Sequence, residues 1–279
     1  MKMEVKAAAL SVIFLVAFSA CESGSSGSND PELDVTKPAS PVRLVFIHHS
    51  CGEHWLANDN GNLGIALNDN NYYVCDTNYG WDAQTDDNLG DHTNTENWHM
   101  WFNDTKMPYV YATASHETWN HNDIAQPSGE NEIIMFKSCY PLSEVGDSIN
   151  DEKAVYGGLL TYFAAHQDKL FVLVTPPGVT NVESSALTQE LCDWLVNRES
   201  GWLKDYAHKN VLVYDFYCTL SETFSHHTVT DGSETHVWDK SYDGASPYHD
   251  GDDHPNETGN QKATAEFIPL LNAAYNNWK

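Results

Sequence analysis

Five runs of apolar, β-branched and aromatic residues recur along the chain: Val42 to His48, Tyr72 to Asp76, Glu132 to Ser138, Leu170 to Thr175 and Val211 to Phe216. Each has the length and composition of a buried strand. Between them the pattern turns helical. Ala154 to His166 carries Val155, Leu159, Tyr162 and Phe163 at helical spacing, Ser185 to Arg198 carries Leu187, Leu191, Trp194 and Leu195, and Lys262 to Trp278 closes the chain. Strands alternating with helices imply an α/β fold, a five-stranded parallel sheet covered on both faces and joined by right-handed crossovers.

The segment before the first strand reads differently. Lys2 and Lys6 precede an apolar run from Ala7 to Ala20, too short to span a bilayer permanently but suited to a signal peptide. It ends in Phe18-Ser19-Ala20-Cys21, small residues before a cysteine that resemble a bacterial lipoprotein processing site, with Cys21 as the lipidated residue. Ordinary secretory cleavage nearby would export the protein equally. The expectation is therefore an exported protein of the cell envelope, held to the membrane through a lipid on Cys21. Residues 21–40 are Ser, Gly, Asp and Pro with little to bury and read as a flexible tether. Residues 41–279 are enough for one domain with a full core.

Charge and cysteine usage narrow the function. A formal net charge of -26 excludes nucleic acid as a natural partner, because phosphate binding needs a basic surface. After Cys21 five cysteines remain, Cys51, Cys75, Cys139, Cys192 and Cys218, so an exported chain keeps at least one unpaired. Cys51 and Cys139 each follow a strand end, and a bridge between them is feasible if those strands are neighbours. Cys51 could also be a nucleophile, but an oxidising compartment disfavours a free catalytic thiol.

Two stretches carry the chemistry. Leu44-Val45-Phe46-Ile47-His48-His49-Ser50-Cys51-Gly52 runs from a buried strand into a serine and a glycine, at the strand end where α/β folds bind ligands. Ser50 would also suit a helix cap. About two hundred residues on, Asp250-Gly251-Asp252-Asp253-His254-Pro255-Asn256 places an imidazole among carboxylates just ahead of the last helix. Together these stretches resemble the SGNH (GDSL-like) hydrolases over most of Val42 to Ala274, with only the two end motifs specific.

That resemblance implies a three-layer sandwich with flavodoxin-like strand order 2-1-3-4-5, and a Ser50 nucleophile deprotonated by His254. The family commonly has its orienting acid three residues before the histidine, where this chain has Gly251. Asp252 is the first substitute and Asp250 the second, and a dyad backed by a backbone carbonyl is also open. Such an acid would hold the imidazole tautomer and stabilise the imidazolium. The oxyanion donors implied are the Ser50 N–H, Gly80 after the second strand, and a group after the third. There the family's asparagine is missing, leaving Ser138 or a backbone N–H near Cys139.

Other residues invite weaker readings. His48 and His49 should point to opposite faces of the strand, a poor pair of metal ligands. His226, His227, His236 and His249 crowd an acidic loop where zinc or calcium could sit, but the usual metal spacings are absent and solvated loops explain them. Asp76-x-Asn78-x-Gly80-x-Asp82 only faintly resembles a calcium loop. Trp98, Trp101 and Phe102 suit the buried face of a short helix, whereas Trp81 and Trp119, in polar sequence, are candidates for a substrate-binding cleft wall. The expected function is a serine esterase for small acyl esters, needing no cofactor and no metal, and the family resemblance implies acetyl groups on a polysaccharide among its substrates. Two other readings fit: an inactive carbohydrate-binding lipoprotein, and a metal-dependent hydrolase built on the histidine-rich loop.

Overall fold

In a computed structural model of the chain, strands β1 (Val42–Ile47), β2 (Tyr72–Thr77), β3 (Ile133–Lys137), β4 (Leu170–Val174) and β5 (Val211–Tyr214) form one sheet in the order β2-β1-β3-β4-β5. Every neighbouring pair is parallel, in a register that sets Val42 against Tyr72 and Ile47 beside both Thr77 and Phe136. The α/β class, the parallel sheet and the expected strand order are all present. The structure describes residues 33–84, 87–138, 149–178, 182–221, 225–230, 233–236, 248 and 254–279. All belong to the unit Glu32–Lys279. Cys21, Cys139, Asp250 and Asp252 lie outside them, and with Cys139 goes the suggested bridge to Cys51.

Helices cover both faces. In chain order they are α1 (Ser50–Leu56), α2 (Leu63–Asp69), α3 (Trp98–Trp101), α4 (Met107–Ala112), α5 (Ile149–Ala165), α6 (Val182–Val196), α7 (Phe216–Thr219) and α8 (Glu257–Trp278). Because side chains alternate along each strand, the sheet feeds two separate cores. Val45, Ile47, Ile134, Phe136 and Phe171 pack against α3, α4, α5 and α6, whereas Leu44, Phe46, Val74, Met135 and Val172 pack against α1, α2 and α8. Trp98, Trp101 and Phe102 are buried in the first core, as their spacing predicts. Trp55, wholly buried in the second, stacks on Phe216 and meets Phe267 edge to face.

Two features depart from the sequence reading. The residues expected to be a tether up to 40 are bonded to the domain from Asp34 onward. Asn276 donates its side-chain amide to the carbonyls of Asp34 and Thr36, Asn272 to that of Val35, and Asn71 to that of Pro38. Side-chain amides of distant residues supply the partners that a Ser- and Pro-rich segment lacks of its own, a contact no local pattern reveals. The second feature is an antiparallel hairpin, β6 (His227–Thr230) and β7 (Ser233–His236), lying in the connection between β5 and His254. Its polar composition hid it among acidic loops. Its first residues are fixed to α8, where the buried Glu266 carboxylate accepts the backbone N–H groups of His226 and His227, both at 3.0 Å.

Candidate active site

β1 leaves the sheet at Ile47, and the chain turns through His48 and His49 straight into α1. The corner is tight enough to require glycine in the first turn of α1, since a Cβ on Gly52 would lie 2.8 Å from His48 Cγ and 3.1 Å from the Phe46 ring. His49 occupies the N-cap position and Ser50 is the first helical residue, so the serine hydroxyl is not the cap. The backbone places that hydroxyl at the carboxyl rim of the sheet, half-buried.

His254 reaches the same rim from the other end of the chain. Asn256 caps α8 by accepting the Gly259 N–H at 2.9 Å, which sets where the helix begins and holds the preceding loop against it. His254 Nε2 lies 2.9 Å from Ser50 Oγ. With the ring proton on Nδ1, Nε2 accepts the serine proton, the contact a general base needs to activate a neutral hydroxyl.

The elements carrying these groups are bonded to each other. Trp55 donates its indole N–H to Thr264 Oγ1 at 2.9 Å, Thr264 donates to the Gly61 carbonyl at 2.7 Å, and Asn260 donates to Asn60 Oδ1 at 2.8 Å. Three contacts between α8 and the α1 region therefore maintain the Ser50–His254 distance. Beneath them, His48 Nε2 faces the buried Asp76 carboxylate at 3.2 Å, which also accepts the backbone N–H of Thr118 at 2.8 Å. His49 points the other way, stacked on Tyr79 and bonded to the Gly90 carbonyl. The opposed orientation expected of the two histidines is observed.

Several expected site residues stand elsewhere. Gly80 has φ +74° in a turn closed by Trp81 N–H to the Asn78 carbonyl. Its own N–H donates to Asp91 Oδ1 at 2.8 Å, so a carboxylate occupies the donor intended for an oxyanion. Ser138 is completely buried; its hydroxyl meets Trp98 Nε1, Thr95 Oγ1 and the Tyr156 hydroxyl at 2.9 to 3.0 Å. That side chain points into the α3–α5 core, away from the Ser50 face. Trp81 stacks on Trp101 in the same core, and Trp119 is 2% exposed in the other, against Gly64. Trp119 satisfies its apolar area in the core, whereas Trp81, though buried, still lines a cavity of about 490 Å³ together with Gly80, Tyr109 and Glu117.

Residues the sequence reading overlooked do stand near Ser50. Glu53 and His54 follow it at i+3 and i+4, the spacing that shares one helix face. Glu53 accepts from the Asn78 side chain at 3.0 Å, and the His54 ring centroid lies 5.3 Å from that of His254. Tyr79, 54% exposed, is the aromatic ring presented at the end of β2. Lys137, at the end of β3, is completely buried and donates to the Ser138 carbonyl at 2.9 Å. No helix among the described residues is long and apolar enough to cross a membrane.

No protein-family model and no curated protein matches the chain. Among solved structures, it is similar to a crystal structure of a "putative acylhydrolase" from Bacteroides fragilis, at 12% sequence identity and a TM-score of 0.45, covering 89% of this chain and 93% of the other. At that level of likeness, any reading of the site rests on its own geometry.

Proposed function

We propose that this protein is a serine ester hydrolase of the SGNH type. The observation that carries the reading is the 2.9 Å contact between Ser50 Oγ and His254 Nε2, groups 204 residues apart that the fold joins at one rim of the sheet. Ser50 attacks the ester carbonyl as His254 removes its proton; the tetrahedral intermediate collapses when the imidazolium protonates the leaving alcohol. A water activated by the same imidazole then releases the acid and restores the serine. The Ser50 N–H, at the carbonyl the serine attacks, is the oxyanion donor we retain. Asp252, or Asp250, is the acid assigned to hold the His254 tautomer.

The substrate class proposed is a small acyl ester, with acetylated polysaccharide as one example. The saccharide part follows from the family resemblance, and the exposed Tyr79 ring, stacked on His49, is an aromatic surface that suits a sugar in this reading. Export and a lipid anchor on Cys21 are proposed from the leader sequence; incorporation of a labelled fatty acid, abolished by Cys21→Ala, tests them. A fluorophosphonate probe tests the chemistry. Mass spectrometry should place one adduct on Ser50, and p-nitrophenyl acetate hydrolysis should vanish in Ser50→Ala. Equal hydrolysis by the wild type and Ser50→Ala would leave the inactive binding lipoprotein or the metal-dependent hydrolase in its place.

A further inference from the structure

At the far edge of the sheet, three strands from the one that leads into Ser50, β5 ends at Tyr214 and Asp215 follows. This residue caps α7, accepting the Cys218 N–H on Oδ1 at 3.1 Å, and leaves Oδ2 directed at the hairpin. The hairpin pairs His227 directly with His236, and directly opposed residues of an antiparallel ladder project from the same face. The two imidazoles accordingly stack, with centroids 4.4 Å apart and planes 16° from parallel. His236 Nε2 lies 2.8 Å from Asp215 Oδ2, and His227 Nε2 lies 3.1 Å from the Asp215 N–H. One donor atom from each of the three side chains lies within 4.8 Å of the others.

We infer that Asp215, His227 and His236 form a binding site for a divalent transition-metal ion of the Zn²⁺ class. Two imidazole nitrogens and one carboxylate suit zinc, whereas calcium and magnesium take oxygen ligands almost exclusively. An independent observation supports a ligand role. Glu234 Oε1 lies 3.1 Å from His227 Nδ1, the arrangement in which an outer carboxylate fixes the ring tautomer and leaves Nε2 as the donor for a metal. Asp215 is fully buried and His227 nearly so, and beside them lies a cavity of about 200 Å³ lined by His227, Glu234, His236, Arg198 and the apolar Val196, Leu203 and Val213. The cavity leaves room for a water as a further ligand.

An ion here replaces the proton between His236 and Asp215 and the contact from the Asp215 N–H to His227 Nε2. It does so by coordinating all three side chains at once. The consequence is a clamp, not a second hydrolytic centre. Two ligands sit on the hairpin and the third directly follows β5, so coordination fixes the hairpin to the rim of the sheet. Because the hairpin belongs to the connection that ends at His254, the clamp anchors that connection at its start. This inference stands apart from the esterase reading and holds whether or not Ser50 is a nucleophile.

The test uses the full chain, stripped with a chelator, dialysed and titrated with Zn²⁺ alone by calorimetry, with bound metal counted by mass spectrometry. One equivalent should bind, Co²⁺ in its place should show visible absorption, and Zn²⁺ should slow amide exchange across residues 227–236. Asp215 also caps α7, so substituting it disturbs the fold together with the site. His236→Ala leaves that cap and should weaken binding at least tenfold, and Glu234→Gln, which leaves all three ligands in place, should weaken it about tenfold. Absence of saturable Zn²⁺ uptake, or uptake unchanged in His236→Ala, would overturn the site.

Discussion

The indole N–H of Trp55 and the hydroxyl of Thr264 meet at 2.9 Å inside the second core, joining the helix that starts at Ser50 to the helix that follows His254. Thr264→Val removes the acceptor and leaves a buried indole N–H unpaired, along with the Gly61 carbonyl that Thr264 serves. The expected loss is about 1–3 kcal/mol. Urea unfolding should show a lower midpoint with an unchanged slope, and the rate of fluorophosphonate labelling at Ser50 should fall beyond what the unfolded fraction explains.

His254→Ala leaves Ser50 without the ring now 2.9 Å from its oxygen. Hydrolysis of p-nitrophenyl acetate should drop at least about 10³-fold, and Ser50→Ala by a similar factor. The double variant should be no slower than either single one, because the two groups act as a unit. Additive losses measured in steady-state kinetics would mean they act separately.

Ser138→Ala separates a structural hydroxyl from a catalytic one. The Ser138 hydroxyl accepts the Trp98 indole N–H deep in the first core, so its loss should destabilise the fold by about 1–3 kcal/mol while kcat on the same ester stays within about twofold. An oxyanion donor would instead cost about 10²-fold or more in kcat with little change in stability. Thermal unfolding and kinetics on one preparation give both quantities.

Burial sets the alkaline limit of the fold. It raises the Cys75 thiol above its ordinary 9.0, holds Tyr72 and Tyr156 well above the usual tyrosine range, and pushes Tyr206 up to about 12. For a group whose pKa is higher in the folded protein, the unfolded chain loses its proton first. The stabilisation is complete below the unfolded value and disappears as pH climbs through the folded one. Denaturant midpoints should hold steady from neutrality to about pH 9 and then decline. Cys75 should resist alkylation at pH 8 until denaturant is added.

The sheet was legible because its strands are apolar on both faces and each is a local signal. All five appear where the runs stand; four are shortened by a residue or two where His48, Ser138, Thr175 and Asp215 leave the ladder at the rim, and β2 runs one residue further, to Thr77. The hairpin was not legible. His227-Thr-Val-Thr and Ser-Glu-Thr-His236 are polar, and they become strands through pairing with each other and through Glu266 holding their first N–H groups. Trp81 and Trp119 misled for a related reason: polar neighbours in sequence suggested exposure, while their packing partners Trp101 and Gly64 come from other parts of the chain.

By itself the sequence determined the α/β class, the alternation of five buried strands with helices, and the two residues, Ser50 and His254, worth watching. These follow from periodicity and from chemistry confined to a few consecutive positions. Only the tertiary structure decided that the two stand 2.9 Å apart, that the Gly80 N–H is held by Asp91 and the Ser138 hydroxyl by a buried network, and that Asp215, His227 and His236 converge. Such facts depend on which distant groups reach a polar atom first, and for buried atoms such as the Ser138 hydroxyl and the Asp215 carboxylate burial makes a partner necessary.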